Sequence, residues 1–173
     1  METAQPLTGE QFRALWPGRR RAFHLELKDI YGTAEESAPF TSWLLGQPDD
    51  HVWHDSWLTH ASAAIARGTT IHRARVVSEP WSDYIRWAMT IDRQNIRVGE
   101  EIRYLPRHEA AGISLPPDDY WLFDDDLLVF SLFNPDGTSA GFRLATDRRD
   151  LDQCRSARDE IWFRAIPHDR YRV

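Results

Sequence analysis

Apolar and polar positions along this chain alternate with two different periods. In FHLELK, Phe23, Leu25 and Leu27 fall on one side and His24, Glu26 and Lys28 on the other. That period of two predicts a strand. TTIHRARVV reads as a second strand, with Val76 and Val77 at its end, and EEIRYLP as a third. YWLF, LLVFSLF and TSAGFRLA continue the strands, separated by DDD and by the turn signal NPDG. HEAAGISLPPDD is a loop, marked by Gly112 and Pro116-Pro117.

Helical spacing governs the rest. TGEQFRALW opens with Thr8 and Gln11 in a capping-box pattern, puts Phe12, Leu15 and Trp16 on one face, and ends before Pro17. APFTSWLLG is a short apolar patch, read as a helical turn. In DDHVWHDSWLTHASAAIARG, Trp53, Trp57, Ala61 and Ile65 recur every four residues, with Gly68 as the stop. EPWSDYIRWAM starts a helix with Pro80 and Asp83 in its first turn. Its apolar stripe is Trp81, Tyr84, Ile85 and Ala88. Leu151, Cys154, Ile161, Trp162 and Ala165 form the stripe of a closing helix, and HDRYRV follows as a short basic tail.

The order of elements predicts an α/β domain with one mixed sheet covered by helices. TTIHRARVV, the following helix and EEIRYLP form a parallel crossover, expected to be right-handed, and the later hairpins add antiparallel strands. Residues 1–68 read as an N-terminal helical region packed on an α/β core at 69–173, the two forming one continuous domain.

Composition narrows the function. A hydrophobic content of 42% over 173 residues is enough for a real core. No apolar run approaches the roughly 20 residues that span a bilayer, and METAQPLTGEQF lacks signal-peptide features. A cytoplasmic protein without membrane contact is expected. The net charge of −6 argues against direct nucleic-acid binding, which needs phosphate neutralisation. Of the 21 basic side chains, Lys28 is the only lysine. The single Cys154 excludes an intramolecular disulfide and a multi-cysteine zinc site, and its helical spacing places it in the core.

Candidate chemistry is sparse. Asp124, Asp125 and Asp126, with Asp118 and Asp119, are hard oxygen donors of the kind that bind Mg²⁺ or Ca²⁺. Asp is equally a turn residue that tolerates a left-handed backbone, and the spacing does not fit an EF-hand loop. His51 and His54 supply two metal-ligand types without a third. No nucleophile elbow, phosphate loop or dinucleotide fingerprint is present, so no metal or cofactor is assigned and no catalytic residue is named. RARVVSEPWSDYIRW is the richest stretch. Glu79, Asp83, Tyr84 and Arg86 lie where a parallel strand hands over to its helix, and Arg75 and Arg103 lie on the neighbouring strands. Ligand sites in α/β sheets form outside the carboxyl ends of strands. Arg75, Glu79, Asp83, Tyr84, Arg86, Arg103 and Asp124 are therefore the candidate ligand pocket, with a structural ion-pair network as the alternative.

The runs RVVSEPWSDYIRW, NIRVGEEIRYLPR, DDYWLFDDDLLVF and RDEIWFRAIP resemble a family of uncharacterised actinobacterial proteins over nearly the whole chain. The resemblance implies a gene neighbourhood of helix-turn-helix regulators and small partner proteins. More distantly, the layout of strand, helix, strand, then an apolar strand ending in Asp resembles half of a phospholipase D-type domain. That fold's His-x-Lys-x4-Asp pattern, set on Asp124, puts Pro117 and Asp119 where the His and Lys belong. Set on Asp125, it puts Asp118 and Tyr120 there. The resemblance thus implies a non-catalytic relative. The expectation is a non-enzymatic regulatory or interaction domain, acting with a helix-turn-helix regulator or small partner protein. The alternative is a small-molecule sensor, or an enzyme using the carboxylate and Arg pocket. The sequence also allows a homodimer.

Overall fold

The computed structural model describes residues 5–172. Among them, seven strands form one mixed sheet in the order β6-β5-β4-β1-β2-β3-β7. The strands are β1 (Arg21–Glu26), β2 (Thr70–Val77), β3 (Glu101–Pro106), β4 (Asp119–Phe123), β5 (Leu127–Phe133), β6 (Ser139–Leu144) and β7 (Ile166–Pro167). The helices are α1 (Gly9–Arg13), α2 (Ala34–Leu44), α3 (Asp55–Ala66), α4 (Asp83–Arg97) and α5 (Arg148–Arg164). β1, β2 and β3 run parallel, and the β2–α4–β3 unit is the parallel connection that the alternating pattern predicts. β4, β5 and β6 continue antiparallel from β1. β1 thus lies inside the sheet between β4 and β2, so residues 1–68 contribute a central strand as well as helices.

A central strand has two covered faces, and this decides where the polar positions go. On one face α5 packs Cys154, Ala157 and Ile161 over Phe23, Leu25, Ala74 and Val76. On the other face the cover is split. α1, the turn after it and α3 bring Phe12, Trp16, Ala61 and Ala64 over Ala22, Ile71, Trp121 and Phe123. α4 brings Tyr84, Ile85, Trp87 and Ala88 over Val77, Ile102 and Tyr104. The polar members of β1 and β2, Glu26, Arg73 and Arg75, lie on this split face and are buried.

Local chemistry explains the ends. Thr8 and Gln11 make the predicted reciprocal cap on α1. α4 is capped one residue past Trp81, where the Ser82 hydroxyl accepts from the Ile85 N–H at 3.1 Å. Two segments differ from the sequence reading. The apolar patch around Phe40 belongs to an eleven-residue helix, α2, that runs through Pro39 and begins after Thr33. Burial of Phe40 and Trp43 against the α4 aromatics offsets the hydrogen bond that an interior proline removes. The basic tail folds back: Tyr171 is buried against Tyr104 and Trp81, and its hydroxyl donates to Glu79 Oε1 at 2.6 Å.

Candidate functional site

The split cover leaves a cavity of about 540 Å³ between the two helical clusters and the sheet. Its floor is the polar face of β1, β2, β4 and β5, with His24, Glu26, Arg73, Arg75, Asp119 and Ser131. Aromatic walls come from Trp53, Trp57, Tyr84, Trp121 and Phe133, with Tyr31 beside them. Arg13, Glu35, Ser56 and Ser139, all exposed, mark the rim.

A charge network fixes the floor. Arg73 donates through Nη1 to Glu26 Oε1 at 2.5 Å, and through Nε and Nη2 to Glu100 Oε2 at 3.2 and 3.1 Å. Arg75 pairs with the other Glu26 oxygen and grips both oxygens of Asp92 at 2.9 and 3.0 Å. Tyr104 also donates to Asp92, and Trp57 Nε1 donates to Glu100 Oε1 at 2.6 Å. Burial pushes the Asp92 carboxyl up, but the Arg75 and Arg73 charges and the hydrogen bonds to it outweigh burial and hold it below the usual Asp range. Arg75 is raised above its ordinary value; burial opposes this, and the Asp92 charge overrides it.

Two acids stand outside this pairing. Glu36 Oε2 accepts from the Thr33 and Tyr84 hydroxyls at 2.8 and 2.9 Å. Asp119 accepts from the Tyr31 hydroxyl at 2.5 Å and from the Leu27 N–H at 2.9 Å. These partners are neutral. Burial is the largest influence on both carboxyls, and both are raised above their ordinary values. His24 stacks on Trp121, with centroids 4.1 Å apart. Its Nδ1 lies 3.3 Å from Glu26 Oε1, but without hydrogen-bond alignment. Burial, and then the Arg73 and Arg75 charges, hold the ring well below its usual value, so it is neutral at pH 7.

Of the residues singled out in the sequence, Arg75 and Tyr84 line this cavity. Asp83 and Arg86 are exposed on the outer side of α4. Glu79 holds Tyr171 and lies 3.8 Å from His108 Nδ1. Arg103 is on the opposite sheet face, over Trp162 at 4.1 Å, in a separate hollow beside α5. Asp124 caps the start of β1, accepting from the Arg20 and Arg21 N–H groups at 3.0 and 2.9 Å. Asp124 and Asp125 both have positive φ, and the Asp126 N–H donates to the Phe123 carbonyl, as a type I′ turn requires. Asp125 ties the turn to Arg21 and, on α5, to Arg158. Among the described residues, no group of three or more His, Cys, Asp or Glu side chains could hold a metal ion. Among them also, no helix is long and apolar enough to cross a membrane.

Sequence reasoning passed over Glu26, Glu36, Arg73, Asp92 and Glu100 as site residues, and it grouped Asp119 with the acidic turn rather than with this floor. A signal was there. Asp92 and Asn95 continue the buried stripe Tyr84, Ala88, Ile91 of α4, and both are buried. A charged residue on a core stripe demands a buried partner of opposite sign.

Fold and cavity together define an α/β domain with one sheet face covered by α5 and the other opened into an aromatic and carboxylate-lined pocket. Residues 10–173 match the family model described as Domain of unknown function (DUF6879), and the chain belongs to that family. No curated protein matches the chain.

Proposed function

We propose that this chain is a non-catalytic regulatory domain that binds a small molecule in the cavity between the split helical cover and the sheet. The cavity itself carries the reading. Its volume of about 540 Å³ falls inside the range of roughly 300–1,000 Å³ typical of small-molecule sites. Its walls are aromatic, and a few convergent polar groups sit on a rigid, ion-paired floor. A molecule held there would touch α2, α3 and the sheet at once, joining two clusters that otherwise pack separately. Binding would then fix the relative positions of those helices, and a protein partner can read that change.

The partner we propose is a helix-turn-helix regulator or a small protein encoded beside it. The basis is the resemblance to actinobacterial chains with that neighbourhood. Set on Asp124 or on Asp125, the phospholipase D-type pattern finds neither its His nor its Lys in this chain, which supports a role without phosphoryl chemistry. Catalysis is a second reading, favoured by the convergence of His24, Glu36 and Asp119, whose pKa values all depart from the ordinary. Turnover of the bound compound would decide for it.

The test is a thermal-shift screen of a metabolite collection on the wild-type chain and on Ser131→Leu, which places a branched apolar side chain on the cavity floor. A ligand that binds only the folded state must raise Tm by mass action. At least one compound should raise Tm in the wild type and fail to do so in Ser131→Leu. An unresponsive wild type, or equal shifts in both proteins, would remove the basis of the proposal.

A further inference from the structure

We infer that the cavity receives an organic cation, an ammonium held between aromatic faces and buried carboxylates. The inference rests on the ligand-binding reading above and names the chemical class of the ligand.

Charge is the first argument. Five carboxylates, Glu26, Glu36 and Asp119 lining the cavity and Asp92 and Glu100 behind its floor, stand against two guanidiniums, Arg73 and Arg75, and the Lys28 ammonium, an excess of two acids. His24 and His54, the imidazoles on the same wall, are both lowered by burial and add no charge at pH 7. The guanidiniums are not free to receive an anion. The Nε, Nη1 and Nη2 atoms of each already donate to carboxylates. An entering anion would meet Glu26, Glu36 and Asp119, with the Lys28 ammonium over Phe133 as the nearby cation outside the carboxylate pairs. A cation would meet two acids whose present partners are hydroxyls and a backbone N–H.

Ring geometry is the second, independent argument. Tyr31 stands 5.6 Å from Tyr84 and 5.1 Å from Phe133, centroid to centroid. Trp57 and Trp121 stand 5.6 Å apart at 53°. Tilted pairs of this kind are not stacked face to face, so their negative faces are not closed against each other. The chain's own cations already use this property. Arg73 sits over Trp57 at 5.7 Å, and Lys28 over Phe133 at 5.6 Å. The hydroxyls of Tyr31 and Tyr84 donate to Asp119 and Glu36, so each acid is anchored at the edge of a wall ring.

Three probes of one shape separate the possibilities: choline, its neutral isostere 3,3-dimethylbutan-1-ol, and the anion 3,3-dimethylbutanoate. Each is titrated into the full chain while the indole N–H signals of the tryptophans are followed by NMR. Trp57 and Trp53, whose indoles donate to Glu100 and Asp49, report from the wall. Choline should shift these signals saturably and bind about tenfold more tightly than the alcohol, with the anion weakest. Glu36→Gln keeps an oxygen to accept from Thr33 and Tyr84, so the fold stays intact. It should weaken choline about tenfold and leave the alcohol unchanged. The alcohol or the anion binding as tightly as choline overturns the cation assignment while leaving the ligand-binding reading in place. Failure of all three probes to shift an indole overturns the assignment too, and the metabolite screen then judges the ligand-binding reading on its own.

Discussion

Arg75 shows at the scale of one residue how this interior is held. Its guanidinium satisfies Asp92 and half of Glu26 in a buried position at the cavity floor. Removing one member of a buried pair strands the others as uncompensated charge. Arg75→Ala should therefore cost about 3–5 kcal/mol in denaturant unfolding, and a loss below about 1 kcal/mol would mean that the network is solvated. Glu36 should behave in the opposite way. Burial raises its carboxyl, so the ionised form is a liability of the folded state. Its cost is complete above the raised folded value and vanishes below the unfolded Glu value of about 4.3. Glu36→Gln should accordingly raise Tm at neutral pH, with the gain fading as the pH falls toward 4. A variant that loses stability at pH 7 would show that the carboxylate is structural. A residue that costs stability and faces a cavity marks a functional position.

Elements differ in how openly the sequence declares them. The alternation in FHLELK and the capping box on α1 are local signals, and the structure follows them; α4 instead starts at Asp83 behind the Ser82 cap, leaving Pro80 outside its first turn. α2 is only half visible, as the helical turn at APFTSWLLG, because the aromatic packing that carries the helix through Pro39 comes from α4, dozens of residues away. β1 and β2 were legible as strands but not as the floor of a site. A Glu26 or Arg73 alternating with apolar neighbours looks the same whether that face meets water or a partner on another element. α5 is the simplest case, since its stripe places Cys154 in the core. The residue is fully buried there, and burial, reinforced by the Asp150 charge, pushes the thiol up to about 12. The thiolate is the reactive form, so iodoacetamide should label Cys154 only at the rate at which the chain unfolds. Labelling of the native protein at the rate of a free thiol would mean that α5 leaves the sheet readily.

Across the whole molecule, the two sheet faces have different tasks. The α5 face carries an apolar core with a hollow of about 530 Å³ beside Trp162 and Phe163, and is pinned at one end by the acidic turn through Asp125 and Arg158. The other face gives up continuous packing for a polar floor and a cavity. Candidate positions chosen by sequence fell on both faces and on the outer side of α4. Proximity along the chain to a strand end does not say which face a side chain takes, and the long-range pairs that assemble the floor join residues dozens of positions apart. The central claim is that the open face is a binding site. It is tested most directly by a crystal structure of the chain with whichever compound gives the largest thermal shift. Electron density for that compound between Trp57, Trp121 and Glu36, with the Arg73–Glu26–Arg75 floor unchanged, is the predicted result. Density in the hollow beside Trp162 and Phe163, with the cavity holding only water, would contradict it.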